Sequence, residues 1–175
     1  MPDLALTPDA LTPEGLVAHM GGKISASTPG LQGRIDGVVA AMRRRCGWHV
    51  FPERQDTMRV DGPGGWVLSL PTLRLVDLVD LRECGIAVGT DEIQWSETGL
   101  VKKSGRRQWT TDYRGIEATI VHGFNDCADI IDSILTVAGR TSYRPLGETS
   151  IRVGERQTDY EVVASELATW DRYRI

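Results

Sequence analysis

The period of the hydrophobic pattern changes twice along this 175-residue chain, and each change falls beside a glycine. Over 28–47, Leu31, Ile35, Val38, Val39, Met42 and Cys46 recur at helical spacing, while Arg34, Asp36, Arg43 and Arg44 point elsewhere. Gly47 stops that helix. From Phe51 to Gly123 the pattern becomes short alternating runs punctuated by glycine-rich turns. After Gly123 the helical period returns, with Cys127, Ile130, Ile131, Ile134, Leu135 and Ala138 on one stripe. This order predicts an α+β fold: a small helical bundle with a β-rich antiparallel insertion between its first two main helices.

Local signals divide the chain further, within one expected domain over 1–175. Thr7-Pro8 and Thr12-Pro13 are helix-start pairs, and the second opens a short helix over 12–20 that Gly21-Gly22 ends. Residues 1–27 are thus read as an arm followed by a short helix. Thr28-Pro29 is the start signal for the helix over 28–47. In the insertion, 51–123, TMRV-DGPGG-WVLSLP is read as two strands around a turn whose glycines supply positive φ. Further strands are expected in LRLVDLVDL (73–81), IQW, GLVKK, RQWTTDY and RGIEATIVHG (114–123). Asn125 is expected to cap the helix over 125–139 and Gly139 to close it. A polar loop, 140–157, holds one short strand near Ile151. Thr158 and Glu161 have capping-box spacing, and the last helix and tail, 158–175, place Tyr160, Val163, Ala164, Leu167 and Trp170 on one face.

Composition narrows the functional classes. Apolar residues make up 41% and charged residues 25%, as in soluble globular proteins. A net charge of −4 argues against coating nucleic acid by bulk charge. The N-terminus carries acids where a signal peptide would carry bases, and no apolar run has the ~20 residues of a membrane helix. Cys46, Cys84 and Cys127 lie far apart and form no C-x-x-C pair; each is expected to be a small buried apolar residue in a reducing compartment.

Catalytic motifs are missing from the sequence. There is no nucleophile elbow, no H-E-x-x-H and no Walker loop, since DGPGGW lacks the lysine and the following helix. Cys46 and His49 form a lone C-x-x-H that His122 could join, but Gly47 breaks the helix between them and no fourth ligand stands out. Asp77 and Asp80, three apart on a strand, are expected on opposite faces. Asp126, Asp129 and Asp132 line one helix, as a solvated face does. Lys102-Lys103 and Arg106-Arg107 with Trp109 could touch phosphates, although KKSGRR reads more simply as a solvated turn. No catalytic residue, metal or cofactor is expected.

RRRCGWHVFPERQDTMRVDGPGGWVLSLP, residues 43–71, resembles the head-to-tail connector (adaptor) proteins of long-tailed bacteriophages. The form in question comes from phages of actinobacteria, where a helix ends in C-G-W-H and a strand then leads into D-G-P-G-G. The likeness continues in VHGF before the middle helix and in the final WDRYRI, and covers roughly 28–139 and 158–175. The resemblance implies a non-enzymatic virion protein of the neck, between capsid and tail, assembled in the host cytoplasm. It would form a ring, usually of twelve copies, bind the portal protein, extend the DNA channel and dock the next neck, stopper or tail-terminator protein. Genomic DNA would pass through the lumen without sequence-specific binding. A neighbouring neck or tail-completion protein is the alternative, and a nucleic-acid-binding module a more remote one.

Within that reading RRRCGWHV is a junction. Met42 and Cys46 belong to the buried stripe, Gly47 ends the helix, Trp48 anchors the following strand and His49 sits at the bend. Arg43, Arg44 and Arg45 complement the helix's negative end, worth about 0.3–1 kcal/mol each at best, and are expected to reach acids on a neighbouring subunit. Trp170, Arg172, Tyr173, Arg174 and Ile175 are the expected portal contact, being residue types enriched at binding anchors; Trp170 could equally close the subunit's own core. The turn Asp61, Gly62, Pro63, Gly64 and Gly65 is expected to face the tail side.

Overall fold

The computed structural model describes residues 6–142, 150–153, 156–159 and 162–175, with the backbone alone at 150–153 and 156–159. The fold is α+β, with four α-helices and antiparallel sheets. It divides into two compact units: the chain up to Cys46 with Asn125–Arg174, and Gly47–Phe124 with Ile175.

The first unit is helical. Helix α1, Pro13–His19, begins where the Thr12 hydroxyl accepts a hydrogen bond from the Gly15 amide at 3.1 Å, with proline at its first position. Helix α2, Leu31–Cys46, buries Leu31, Ile35, Met42 and Cys46, and leaves Val38 and Val39 half-buried. It starts after Gly30 at φ 79°, so Thr28-Pro29 lies ahead of the helix and does not cap it. Helix α3, Ala128–Ser142, packs against α1, α2 and the C-terminal helix α4, Ala164–Asp171. Its first amides bond to the Cys127 carbonyl, two residues later than an Asn125 cap would place them. Gly139 does not close α3. It lies inside the helix against the Met20 side chain, where a Cβ would collide with the Met20 sulfur.

The C-terminal segment differs most from expectation. Residues 156–159 form strand β9, antiparallel to β8, Ser150–Val153. The last helix therefore begins at Ala164, not at 158, because Thr158 is committed to a β-ladder opposite Ile151. Tyr160 and Glu161 lie outside the described residues. The amide at the helix start, on Val163, is instead satisfied by the Glu166 carboxylate at 2.9 Å.

The second unit holds two sheets. One has the order β1-β7-β3-β4: Arg54–Val60, Ile116–His122, Leu75–Glu83 and Ile86–Ala87. The other has the order β2-β6-β5: Val67–Ser69, Leu100–Lys103 and Ile93–Trp95. Leu68, Val101 and Ile93 from the second sheet, with Leu70 just past β2, meet Leu75, Leu78, Leu81, Ile116, Ala118 and Ile120 from the first, forming one core. The expected strands around DGPGG thus join different sheets and do not pair with each other. Residues 107–113, expected as a strand, form none. They zip irregularly along the DGPGG segment: Gly62 and Gly64 amides bond to the Asp112 and Thr110 carbonyls, and Trp109 N–H bonds to Gly65.

Strand β3 breaks the two-residue period. Its buried residues are Leu75, Leu78 and Leu81, three apart, because register shifts fall between Leu75 and Asp77 and between Leu78 and Asp80. Each bulge adds a residue and returns the next leucine to the core face. Asp77 and Asp80 then pair with Val121 and Thr119, alternate residues of β7. The two carboxylates therefore share the outer face, correcting the expectation of opposite sides.

Candidate functional site

The junction RRRCGWHV lies where α2 ends, with Gly47 at φ 85°. Arg43, Arg44 and Arg45 occupy the last turn of α2, as the dipole argument requires. They divide by environment. Arg45 donates two hydrogen bonds to Asp171 of α4, at 2.8 and 2.7 Å. These bonds hold the Asp171 carboxyl below the usual carboxylate range and raise the guanidinium pKa of Arg45. Arg43 is half-buried and Arg44 exposed. Of the three, Arg44 is the most accessible to a neighbouring chain.

The tail residues also divide. Trp170 is buried, and its indole N–H donates to the Ser133 hydroxyl at 2.8 Å. It closes the core of the helical unit and is not a surface anchor. Tyr173 donates to Asp129 at 2.7 Å, and Arg172 stands 3.7 Å from the same carboxylate. Burial first and Asp129 second push the Tyr173 phenol pKa up. Asp129 therefore does not belong to a purely solvated acidic face. Arg172, Arg174 and Ile175 are exposed.

In the turn 61–65, Asp61 and Pro63 are exposed while Gly62, Gly64 and Gly65 are half-buried. The Asp61 carboxylate accepts the Arg114 amide at 2.7 Å. This segment packs along its own unit's 109–114 backbone through its glycines and offers mainly Asp61 and Pro63 to solvent.

The histidines are held by neighbours. Trp48, His49, His122 and Phe124 cluster with ring centroids 5.7–6.0 Å apart. His122 Nε2 lies 3.0 Å from Asp56, which Arg54 also binds at 2.7 Å. Burial would raise the Asp56 pKa, but the His122 and Arg54 hydrogen bonds hold it below the usual carboxylate range. His49 Nε2 is 2.6 Å from the Pro52 carbonyl. Among the described residues, no three His, Cys, Asp or Glu side chains group as metal ligands do. Cys46 and Cys127 are buried, and burial pushes each thiol up to about 11; Cys84 is exposed, against expectation, because it sits at φ 50° in the β3–β4 turn.

The basic run 102–107 is resolved residue by residue. Lys103 pairs with Glu83 and lies 4.4 Å over the buried Trp109 ring, and Arg107 pairs with Glu92 at 3.2 Å. Among the described residues, Lys102 and Arg106 make no ion pair. They line an open groove of about 570 Å³ with Lys103, Ser104, Gly105, Gln94 and half-exposed Trp66. Trp66 was missed in the sequence because its partners on the groove wall are 28 or more residues away, and the β2–β6 register, Val67 opposite Lys102, brings the basic ones near it.

Among the described residues, one unit of two antiparallel sheets and one of four helices with the β8–β9 pair define the class of fold. No protein-family model matches the chain, and a search of curated proteins finds no match. Solved structures do match. A chain from the neck of a native gene transfer agent particle, computed with C12 symmetry, is similar at TM-score 0.64 and 13% identity, covering 99% of this chain and 92% of that one. A chain from the neck of the empty particle, computed with C6 symmetry, gives TM-score 0.68 and 13% identity, with 99% and 93% covered. A chain from the virion of the native particle gives 0.66 and 14%, with 95% and 90% covered. The likeness is one of fold, and it covers nearly the full length of both partners.

Proposed function

We propose that this chain is a structural subunit of the neck of a phage-like particle: a head-to-tail adaptor, of the form found in phages of actinobacteria. It acts by assembly and carries out no reaction. The observation that carries the reading is the fold likeness to gene-transfer-agent neck chains over 99% of this chain. The CGWH and DGPGG junction supports it independently. In this reading, copies of the chain form a ring of twelve, a number the C12 neck neighbour supports. The ring sits below the portal, lengthens the DNA channel and offers a surface to the next neck or tail component. Twelve copies at −4 carry about −48, a field that favours passage of DNA over its retention. Arg44 serves the contact between neighbouring subunits. Exposed Arg172, Arg174 and Ile175 serve the portal contact, with Trp170 holding the helix that bears them. Asp61 and Pro63 face the tail side.

Mass photometry of the purified protein, alone and with the portal ring, tests this. Addition of about a dozen copies to the portal, as preformed rings or as single chains, is the expected result. A monomer that ignores the portal overturns it. A neighbouring neck or tail-completion protein is the second reading, favoured by the same neck structures; self-assembly without any addition to the portal would select it.

A further inference from the structure

Two grooves on the chain are opposite in charge and lie on different units. The first is the groove of about 570 Å³ on the three-stranded sheet, whose described lining holds three cations and no carboxylate. Glu83 neutralises Lys103, which leaves Lys102 and Arg106 uncompensated among the described residues. Half-exposed Trp66 lines the groove, and Val67 and Leu100 are exposed on the same strands. Val67 pairs with Lys102, and Leu100 lies two residues before Lys102, so all three project from one face of the sheet. An exposed tryptophan flanked by apolar side chains and cations has the composition of a protein-contact centre.

The second groove, about 420 Å³, lies along α3 and α4. Its described lining holds the carboxylates of Asp129, Asp132 and Glu166 against one guanidinium, Arg172, with Ser165 and Thr169 between. Arg140 binds Glu166, Tyr173 and Arg172 hold Asp129, and the Asp132 side chain, 55% exposed and 4.0 Å from His19, is the carboxylate left open to a partner.

We infer that the cationic groove around Trp66, Lys102 and Arg106 docks onto the acidic α3–α4 groove of a second copy of this chain. The inference rests on the ring reading above and deepens it by naming two further faces of the subunit contact, beside Arg44. Head-to-tail rings require a heterologous interface, in which two different patches of one subunit meet the complementary patches of its neighbours. Charge complementarity selects a second copy over a nucleic acid, because the chain itself supplies an acidic groove of similar size. Trp66 and its apolar neighbours supply the desolvated centre, and Lys102 and Arg106 fix the partner's orientation.

The test uses two charge-reversed full-length chains, Lys102→Glu with Arg106→Glu, and Asp132→Lys with Ser165→Lys, each at exposed positions. Circular dichroism melts matching wild type show that each is folded. Each variant alone is expected to stay monomeric in mass photometry, while their equimolar mixture assembles, because every contact in an alternating ring is then attractive. Trp66→Ala, which changes no charge, is expected to raise the half-assembly concentration roughly 30-fold, the scale of an interface hot spot. Variants that each assemble like wild type overturn the inference and leave the ring reading standing. A wild type that assembles neither alone nor on the portal ring overturns the ring reading itself, and this contact with it. If the Lys102→Glu, Arg106→Glu chain still assembles but loses salt-sensitive binding to a duplex oligonucleotide, the groove is a nucleic-acid contact and the inference is wrong.

Discussion

Trp170 and Ser133 illustrate how single residues are decided by partners far along the chain. An amphipathic C-terminal sequence allows a tryptophan to face either solvent or core. The Ser133 hydroxyl, on α3, meets the indole N–H and itself bonds to the Ile130 carbonyl, so burial of Trp170 leaves no donor unmet. Without that partner, burying the N–H would cost about 1–3 kcal/mol. The cysteines divide by the same logic of environment. Cys84 is exposed in a turn, whereas Cys46 and Cys127 are buried with pKa values pushed up to about 11. The cysteine thiolate, not the thiol, attacks a disulfide reagent. Ellman's reagent is therefore expected to titrate one thiol in the native protein, three in denaturant, and none in native Cys84→Ser. Rapid reaction of two or more native thiols would contradict the buried assignments.

At the scale of elements, glycine positions and bulges carry the information. Gly62 packs so closely on the 110 backbone that an added Cβ would collide with the Thr110 carbonyl, while Gly65 has nothing nearer than Pro63 O at 4.0 Å. Gly62→Ala is expected to destabilise the protein by about 1–3 kcal/mol, as overpacking against rigid backbone does. Gly65→Ala is expected to change stability by less than about 0.5 kcal/mol. Paired thermal melts check both, and equal behaviour would mean that DGPGG does not pack on 109–114. The leucines of β3 make the complementary point. Their three-residue spacing looks like partial alternation in the sequence, and two bulges reconcile it with a strand. Placing Asp77 and Asp80 on one face follows from those bulges, which depend on the partner β7 and leave no local signature.

For the whole molecule, the proposed role is one of assembly, so its tests fall on exposed residues. Arg174 is exposed beyond α4, whereas Arg45, Asp171, Tyr173 and Asp129 tie that helix to its own unit. Removing the tail outright would disturb those ties, so a point reversal is the cleaner probe. Arg174→Glu is expected to leave the melting temperature unchanged while abolishing capture by the portal in a pull-down. Undiminished capture would remove the tail from the portal contact. The sequence marked the tail as an interaction segment by residue type, but only burial separated the tryptophan of the core from the arginines of the surface.

What the sequence determined by itself was local: where the helical period runs, where it stops at Gly47, where strands take over until Gly123, and hence the α+β class. Those features follow from backbone sterics and side-chain periodicity over a few residues. The CGWH and DGPGG strings also carry the resemblance from which the proposed role starts. Tertiary structure alone decided that β1 and β2 join different sheets, that 156–159 pairs as a strand before the last helix begins, and that Trp66 shares a groove with Lys102 and Arg106. Each of these is a pairing between distant segments. Its outcome depends on which partner buries more apolar surface and satisfies more backbone groups, a choice no short window of sequence contains.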